Sequence, residues 1–187
     1  MRIVGGTKKG FPIRRPNAAD VRPTTDQIKE SIFNILRSLE GRSFLDLFAG
    51  TGSVGLEALS RGARRAVFVE RNTALARSIK EHVKQMQFER QAEVISLEMK
   101  KALALLLDRN EVYDYIFIDP PYQRGLVEET LSKIYETGLV GKETIIIVQH
   151  SKRELVNWNE KSFSIADRRQ YGDSVLTFLK INKETGN

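Results

Sequence analysis

The stretch Asp46-Leu47-Phe48-Ala49-Gly50-Thr51-Gly52-Ser53-Val54-Gly55 decides the fold. It begins within a short apolar run and leads into a helical pattern. Gly50, Gly52 and Gly55 satisfy G-x-G-x-x-G, the pattern of a glycine loop between a buried strand and a helix. Open α/β sheets bind their ligands at such loops, beyond the carboxyl ends of their strands. The stretch therefore predicts an open α/β sheet with a ligand site at this loop.

Short apolar runs alternate with helical patterns through the rest of the chain. The runs are Phe44–Phe48, Ala66–Val69, Val94–Leu97, Tyr113–Ile118 and Thr144–Val148, and the helical patterns cover 53–61, 73–87, 99–108 and 126–137. Apolar runs separated by helices are typical of parallel strands joined by crossovers. The segments 162–166 and 175–181, around Gly172-Asp173, predict a terminal antiparallel pair.

The segment before the glycine loop has its own pattern. Residues 1–15 contain two extended pieces around a glycine-rich turn, which predicts a β-hairpin, and 16–23 form a connector. Thr24, with Gln27 three residues later, has capping-box spacing and predicts the start of a helix. The apolar face of that helix consists of Ile28, Ile32, Ile35, Leu36 and Leu39. We expect a single domain, with 1–23 as an extension and 24–187 as the core.

Composition limits the class of protein. The chain has 187 residues, 41% of them hydrophobic and 29% charged, as in a soluble globular domain. No apolar run reaches the roughly 18 residues of a membrane span, and the start lacks a signal peptide, so we expect a cytoplasmic protein without membrane contact. Without Cys and with two His, a metal site is not expected. We expect His82, on a surface helix, and His150, at the end of the fifth strand, to be solvated or capping residues.

Positive charge is concentrated at the amino end. The net charge is +6, and residues 1–22 hold six basic residues against Asp20 alone. The six are Arg2, Lys8, Lys9, Arg14, Arg15 and Arg22. Such a segment is either a solvated arm or a surface that contacts phosphates, and charge alone does not choose between them.

Two cofactors fit the glycine loop. Glu70 lies 20 residues past Gly50, at the end of the second strand, where a carboxylate can accept hydrogen bonds from both ribose hydroxyls of a dinucleotide or of S-adenosylmethionine. Asp46, at the end of the first strand, attracts an ammonium and a sulfonium but repels a pyrophosphate. Its charge therefore favours S-adenosylmethionine. Glu98, which closes the third strand, is a candidate for the adenine or a solvated acid at a helix start.

The turn Asp119-Pro120-Pro121-Tyr122 follows the fourth strand and carries the most specific signal. Two prolines stiffen the turn, so the Asp119 side chain and the Pro120 carbonyl can accept both hydrogens of an exocyclic amine. Tyr122 offers a face on which the base can stack. An amine held in this way directs its lone pair at a methyl group, so the turn predicts amino-methyl transfer. A plain turn at the end of a strand is the alternative.

These residues resemble a known family. The turn is similar to the (Asp/Asn)-Pro-Pro-(Tyr/Phe) motif of class I amino-methyltransferases. More narrowly, the chain resembles the RsmD family of bacterial 16S ribosomal RNA guanine-N2 methyltransferases, from Arg2 to about Val148. The matching segments are 2–6, 22–26, 30–34, 45–52 and 55–62, in this order and spacing.

The resemblance implies a Rossmann-like fold, with a mostly parallel seven-stranded sheet, an antiparallel last strand, helices on both faces and an N-terminal β-hairpin. It also implies methyl transfer from S-adenosylmethionine to the N2 of a guanine in 16S rRNA or the assembling small subunit, by a protein favoured to be monomeric. The catalytic set is then Asp119, Pro120, Pro121 and Tyr122. The cofactor set is Asp46, Phe48, Gly50, Thr51, Gly52, Glu70, Arg71, Glu98, Met99 and Thr24. The RNA set is Arg2, Lys8, Lys9, Arg14, Arg15 and Arg22. The sequence Leu97-Glu98-Met99 departs from the family pattern and leaves the role of Glu98 open.

Three rival functions remain at this point. An amino-methyltransferase acting on adenine N6 in RNA or DNA would use the same turn. A nicotinamide-dependent oxidoreductase would use the literal glycine pattern but lacks a group for proton transfer. A noncatalytic RNA-binding module would have no need of Asp119, Gly50, Gly52 and Glu70.

Overall fold

A computed structural model describes residues 1–16, 24–36, 38–121 and 125–182 of the chain. The helices are α1 (Asp26–Ile35), α2 (Ser53–Ser60), α3 (Thr73–Gln85), α4 (Met99–Asp108) and α5 (Leu126–Thr137). The strands are β1 (Ser43–Asp46), β2 (Arg65–Val69), β3 (Ala92–Ile95), β4 (Tyr113–Ile118), β5 (Val140–Ser151), β6 (Phe163–Tyr171) and β7 (Ser174–Ile181). None of the helices in these ranges is long and apolar enough to cross a membrane.

The strands form a seven-stranded sheet in the order β3-β2-β1-β4-β5-β7-β6. The pairs β1–β2, β2–β3 and β4–β5 are parallel, whereas β7 is antiparallel to both β5 and β6. A mostly parallel seven-stranded sheet with an antiparallel last strand is the predicted architecture, and this order confirms it.

The chain divides into two compact units, Met1–Met99 and Lys100–Asn187. In the first unit, every residue of α2 is buried, and β1 and most of β2 are buried as well. In the second unit, β4 and β7 are almost entirely buried, which is typical of interior strands. The prediction of a single domain over 1–187 stays a prediction.

The amino-terminal residues form the expected paired segment, although it is shorter than a full hairpin. Arg2 and Pro12 form an antiparallel bridge, and the turn between them contains one 3-10 turn, Gly6–Lys8. The Ile3 amide donates to the Phe11 carbonyl at 2.9 Å, and the Gly10 amide donates to the Ile3 carbonyl at 2.8 Å. Because Ile3 and Ile13 are buried, the segment is packed into the first unit and is not a loose arm.

Several predicted boundaries differ from the structure, among them the ends of β1, α3, β5 and β6, and two of the differences concern candidate site residues. Helix α1 begins at Asp26 and is capped by Thr25, whose Oγ1 accepts from the Ile28 amide, so the predicted capping box at Thr24 and Gln27 is displaced by one residue. The third strand ends at Ile95 and not at Leu97, so Glu98 precedes α4 instead of closing the strand.

Candidate functional site

The glycine loop joins β1 to α2 and depends on two left-handed glycines. Gly50 has a φ of 56° and Gly52 a φ of 76°, values that side chains rarely allow. A Cβ at Gly52 would also lie 3.0 Å from the side chain of Ile79. The Ala49 amide donates to the Val69 carbonyl at 2.9 Å, which fixes the loop to the next strand. The loop is therefore held in a fixed, buried conformation and carries only small residues from Ala49 to Ser53.

The third glycine of the pattern has a packing role. A Cβ at Gly55 would lie 2.3 Å from the ring of Phe68 on β2. Helix α2 can approach the sheet this closely only with glycine at this position, as in other Rossmann-like loops.

Glu70 closes the loop from the end of β2. Its Oε2 accepts a hydrogen bond from the Gly50 amide at 2.8 Å, and its Oε1 accepts from the Asn72 amide at 2.7 Å. Each carboxylate oxygen has two lone pairs, so each can still accept one ribose hydroxyl. The residues present therefore fit the ribose of S-adenosylmethionine.

Asp46 lies beneath the same loop. Its side chain is buried, and its Oδ2 accepts from the Gly55 amide in the first turn of α2 at 3.3 Å. A carboxylate at a helix amino terminus interacts favourably with the helix dipole. A buried negative charge beside the loop suits a ligand with an ammonium or sulfonium group.

The other predicted cofactor residues vary in burial. Thr51 and Thr24 are buried, and Thr51 Oγ1 lies 3.9 Å from the Met1 sulfur. Phe48 is half-buried and Met99 is buried, whereas Arg71 and Glu98 are exposed. Hydrogen bonds in the structure link Asp46, Gly50 and Glu70 with the backbone of the loop region, and the remaining cofactor assignments stay predictions.

The predicted amine-binding turn begins directly after β4. Asp119 is half-buried at the end of this buried strand, Pro120 is buried and Pro121 is exposed. Asp119 can therefore be reached from solvent while its backbone is held by the strand. Tyr122, together with Arg22 of the RNA set, lies outside the described residues.

The basic residues of the N-terminal segment differ in their surroundings. Lys9, Arg14 and Arg15 are exposed. Lys8 Nζ lies 5.8 Å from the ring centroid of Phe88, a cation–π distance. Arg2 Nε lies 3.2 Å from Asp26 Oδ2. Nearby, the buried Lys29 donates to the Arg2 carbonyl and lies 3.3 Å from Asp26 Oδ1.

Both histidines are buried, which corrects the expectation that they are solvated or capping residues. His82 Nε2 accepts from the Arg14 amide at 3.1 Å, because the N-terminal segment covers this face of α3. His150 Nε2 lies 3.1 Å from Thr177 Oγ1. Burial lowers the pKa of His82 and that of His150. Among the described ranges, no group of three or more His, Cys, Asp or Glu side chains could hold a metal ion.

Sequence reasoning missed Glu57 and Ser60 on α2, whose side chains are buried and bind the backbone of the N-terminal segment. Two polar residues in the last turns of a largely apolar helix were the available signal. Helical periodicity alone does not say what covers such residues.

Comparisons with known proteins agree with this geometry. The family model described as "Conserved hypothetical protein 95" matches residues 1–180. The Bacillus subtilis protein YlbH is 32% identical over 187 residues, which cover 100% of both chains. The "Ribosomal RNA small subunit methyltransferase D" of Escherichia coli K12 is 33% identical over 150 residues, which cover 80% of this chain and 74% of that protein.

A solved structure is also similar to this chain over nearly its whole length. The methyltransferase yhhF from Escherichia coli has a TM-score of 0.83 and 29% identity, and the match covers 98% of this chain and 99% of that one. The likeness therefore extends beyond Val148, where the sequence motifs gave no match.

Proposed function

Because the chain belongs to the family described as "Conserved hypothetical protein 95", the RsmD family of S-adenosylmethionine-dependent methyltransferases, we propose that it methylates ribosomal RNA. The finer proposal is transfer of one methyl to the exocyclic N2 of a guanine in 16S rRNA of the small subunit. The observation that carries the proposal is the pair of hydrogen bonds that Glu70 accepts from the Gly50 and Asn72 amides. They orient a buried carboxylate within the glycine loop of this family.

The first unit supplies the residues for the cofactor. S-adenosylmethionine, when bound, supplies an electrophilic methyl group on a sulfonium. Glu70 would accept the ribose hydroxyls, and Asp46 would offset the positive charge of the methionyl part. The left-handed Gly50 and Gly52 keep side chains out of the loop, so that a ligand can approach the backbone.

The second unit supplies the residues for the amine. The Asp119 carboxylate and the Pro120 carbonyl would each accept one N–H of the base, which draws the nitrogen toward a tetrahedral shape and localises its lone pair. After transfer the nitrogen carries a positive charge, and one of its protons leaves along the hydrogen bond to Asp119 or passes to water. Tyr122 would support the base by stacking.

The N-terminal segment would contact RNA phosphates. Lys9, Arg14 and Arg15 are exposed on a segment that is packed into the first unit, so their charges are displayed on a fixed backbone. Contacts to phosphate set the position of a nucleic acid on a protein, whereas contacts to the base select the target. The proposal includes a cytoplasmic location and a monomeric protein.

The test is label transfer from methyl-tritiated S-adenosylmethionine to small ribosomal subunits and, separately, to naked 16S RNA, both from a strain that lacks this activity. The product is digested to nucleosides and identified by mass spectrometry. We expect N2-methylguanosine. N6-methyladenosine would keep the mechanism and overturn the target base. Tight cofactor binding without any transfer would overturn the proposal of rRNA methylation.

A further inference from the structure

The N-terminal segment is attached to α2 through its backbone. The Val4 amide donates to Glu57 Oε2 at 2.7 Å, and the Lys8 amide donates to Ser60 Oγ at 2.9 Å. Ser60 Oγ in turn donates to the Gly5 carbonyl at 2.7 Å. Two side chains at the carboxyl end of α2 thus bind three backbone groups between residues 4 and 8.

Glu57 is a fully buried carboxylate with two charge-assisted contacts. Its Oε1 accepts from Arg61 Nε at 2.8 Å, and the Arg61 guanidinium lies 5.0 Å from the ring centroid of Phe33. Burying a carboxylate is costly unless it is paired and hydrogen-bonded, and most other buried positions of α2 are apolar or small. Packing against the sheet therefore does not explain the charge of Glu57, whereas its contacts with Arg61 and with the Val4 amide do.

Gly5 and Gly6 allow the backbone to lie directly on the end of α2. A Cβ at Gly6 would lie 1.9 Å from the Ser60 carbonyl oxygen, and Gly6 has a φ of 73°. A Cβ at Gly5 would lie 2.3 Å from Arg61 Nη2. The segment and the helix are therefore complementary in shape as well as in hydrogen bonding.

This attachment fixes the first cations of the segment. Ser60 holds the Lys8 amide, the Lys8 ammonium lies over Phe88, and the adjacent Lys9 is exposed. Fixing the backbone of a phosphate-binding segment before the RNA arrives lowers the entropy lost on binding. A segment released from α2 would keep its charge but lose this advantage.

We propose that Glu57 and Ser60 are positioning residues for RNA binding, which hold the N-terminal segment on α2 so that Lys8 and Lys9 are presented to phosphates. The proposal rests on the proposed function. It adds two residues that lie outside the proposed cofactor, catalytic and RNA sets.

The test compares Ser60→Ala with Thr130→Ala. Alanine suits a helix, so Ser60→Ala removes the contacts to Gly5 and Lys8 without breaking α2. Thr130 is also a buried helical hydroxyl, but it donates to the Leu126 carbonyl in the second unit, so its loss controls for general destabilisation. Glu57→Gln is a second variant, because it keeps the size of the side chain and leaves a single acceptor oxygen.

We expect Ser60→Ala and Glu57→Gln to raise the KM for the RNA substrate by about tenfold, with kcat at saturating RNA and the Kd for S-adenosylmethionine within twofold of wild type. The slope of log affinity against log salt for RNA binding should also become shallower by about 1 or more, since each lost phosphate contact contributes about 0.7 to 0.9. Thr130→Ala should leave the RNA KM and the salt slope unchanged.

Two results would overturn the proposal. One is an unchanged RNA KM and salt slope in Ser60→Ala. The other is a joint fall of kcat, cofactor affinity and unfolding free energy with no change in salt slope, as expected for a purely structural role. Failure of the proposed function would be seen separately, because wild-type protein would then transfer no methyl to rRNA.

Discussion

The backbone amide of Gly50 donates a 2.8 Å hydrogen bond to Oε2 of Glu70, which lies twenty residues further along the chain. The bond joins the glycine loop after β1 to the end of β2. It fixes the loop and, together with the bond from the Asn72 amide to Oε1, orients the carboxylate.

Glu70→Gln should weaken binding of S-adenosylmethionine by about 10- to 100-fold. Gly50 and Asn72 each direct an N–H at one carboxylate oxygen, so the amide group of glutamine would face one donor and leave it unsatisfied, at a cost of about 1 to 3 kcal/mol. Isothermal titration calorimetry measures the affinity. Glu93→Gln, which removes a half-buried ion pair with Arg65 on the neighbouring strand, is the matched control and should leave the affinity unchanged. Equal affinity in Glu70→Gln and wild type would contradict the assignment.

Asp119→Ala should abolish methyl transfer, by at least 100-fold in kcat, while the Kd for S-adenosylmethionine stays within twofold. Asp119 is assigned to hydrogen bonds with the substrate amine, which matter in the transition state and not for cofactor binding. Single-turnover label transfer and calorimetry separate the two effects. Asp108→Asn, an exposed carboxylate at the end of α4, serves as the control. An equal loss of cofactor affinity would show that Asp119 serves the cofactor.

Replacing Lys8, Lys9, Arg14 and Arg15 together by Glu should reduce RNA affinity and flatten its salt dependence, with cofactor affinity unchanged. Counterion release makes a favourable, salt-dependent contribution to the binding free energy, and each lost phosphate contact removes part of it. Filter-binding titrations at several salt concentrations measure both quantities. The same number of charge reversals at exposed lysines of the second unit, Lys101, Lys142, Lys161 and Lys180, provides the control. An unchanged RNA affinity in the N-terminal variant would mean that the segment has only a structural role.

Gly55→Ala should destabilise the fold by about 1 to 3 kcal/mol. Helix propensity alone would favour alanine by about 1 kcal/mol, but the new Cβ would lie 2.3 Å from the Phe68 ring, and overpacking of this size outweighs propensity. Urea unfolding measures the change. Gly141→Ala is the control, because its Cβ would lie 3.3 Å from the exposed Val112 side chain, which can move. Phe68→Leu should restore part of the loss in Gly55→Ala, and a stabilised Gly55→Ala would refute the packing role of this glycine.

Local sequence signals predicted much of the fold. Strand β4 and helices α4 and α5 have the predicted bounds. Strand β4 is a largely apolar run that is followed by Asp119 and two prolines. Helix α5 lies between the left-handed Gly125 and Gly138. Strand β3 was misplaced by two residues because it is an edge strand. Only its last residue is buried, so the strand lacks a continuous apolar run that would mark where it begins and ends.

Contacts between distant parts of the chain could not be predicted in the same way. The amphipathic period of α3 gives no sign that residues 11–14 cover His82, and α2 gives none that residues 4–8 bind Glu57 and Ser60. Sequence reasoning found the glycine loop, Glu70 and the Asp-Pro-Pro turn because each of them directly follows the end of a strand. The attachment of the N-terminal segment depends on tertiary packing, which one sequence does not reveal.

The two histidines should make the protein less stable as the pH falls from about 6.5 toward 5. Burial lowers the pKa of His82, with Glu81 acting to raise it and Arg14 to lower it, and burial also lowers the pKa of His150. An unfolded histidine has a pKa near 6.5, so in this window the unfolded chain binds more protons than the folded one. The free energy of unfolding then falls by up to about 1.4 kcal/mol per pH unit for each histidine.

His82 also loses a specific contact on protonation. Its Nε2 accepts from the Arg14 amide, and an Nε2 that carries a proton can no longer accept. His82→Gln should therefore reduce the slope of unfolding free energy against pH between 6.5 and 5, and urea titrations at several pH values measure that slope. His150→Gln should reduce it as well, and the double variant should be nearly independent of pH in this range. A wild-type slope that persists in the double variant would place the titrating groups elsewhere and contradict the burial of both histidines.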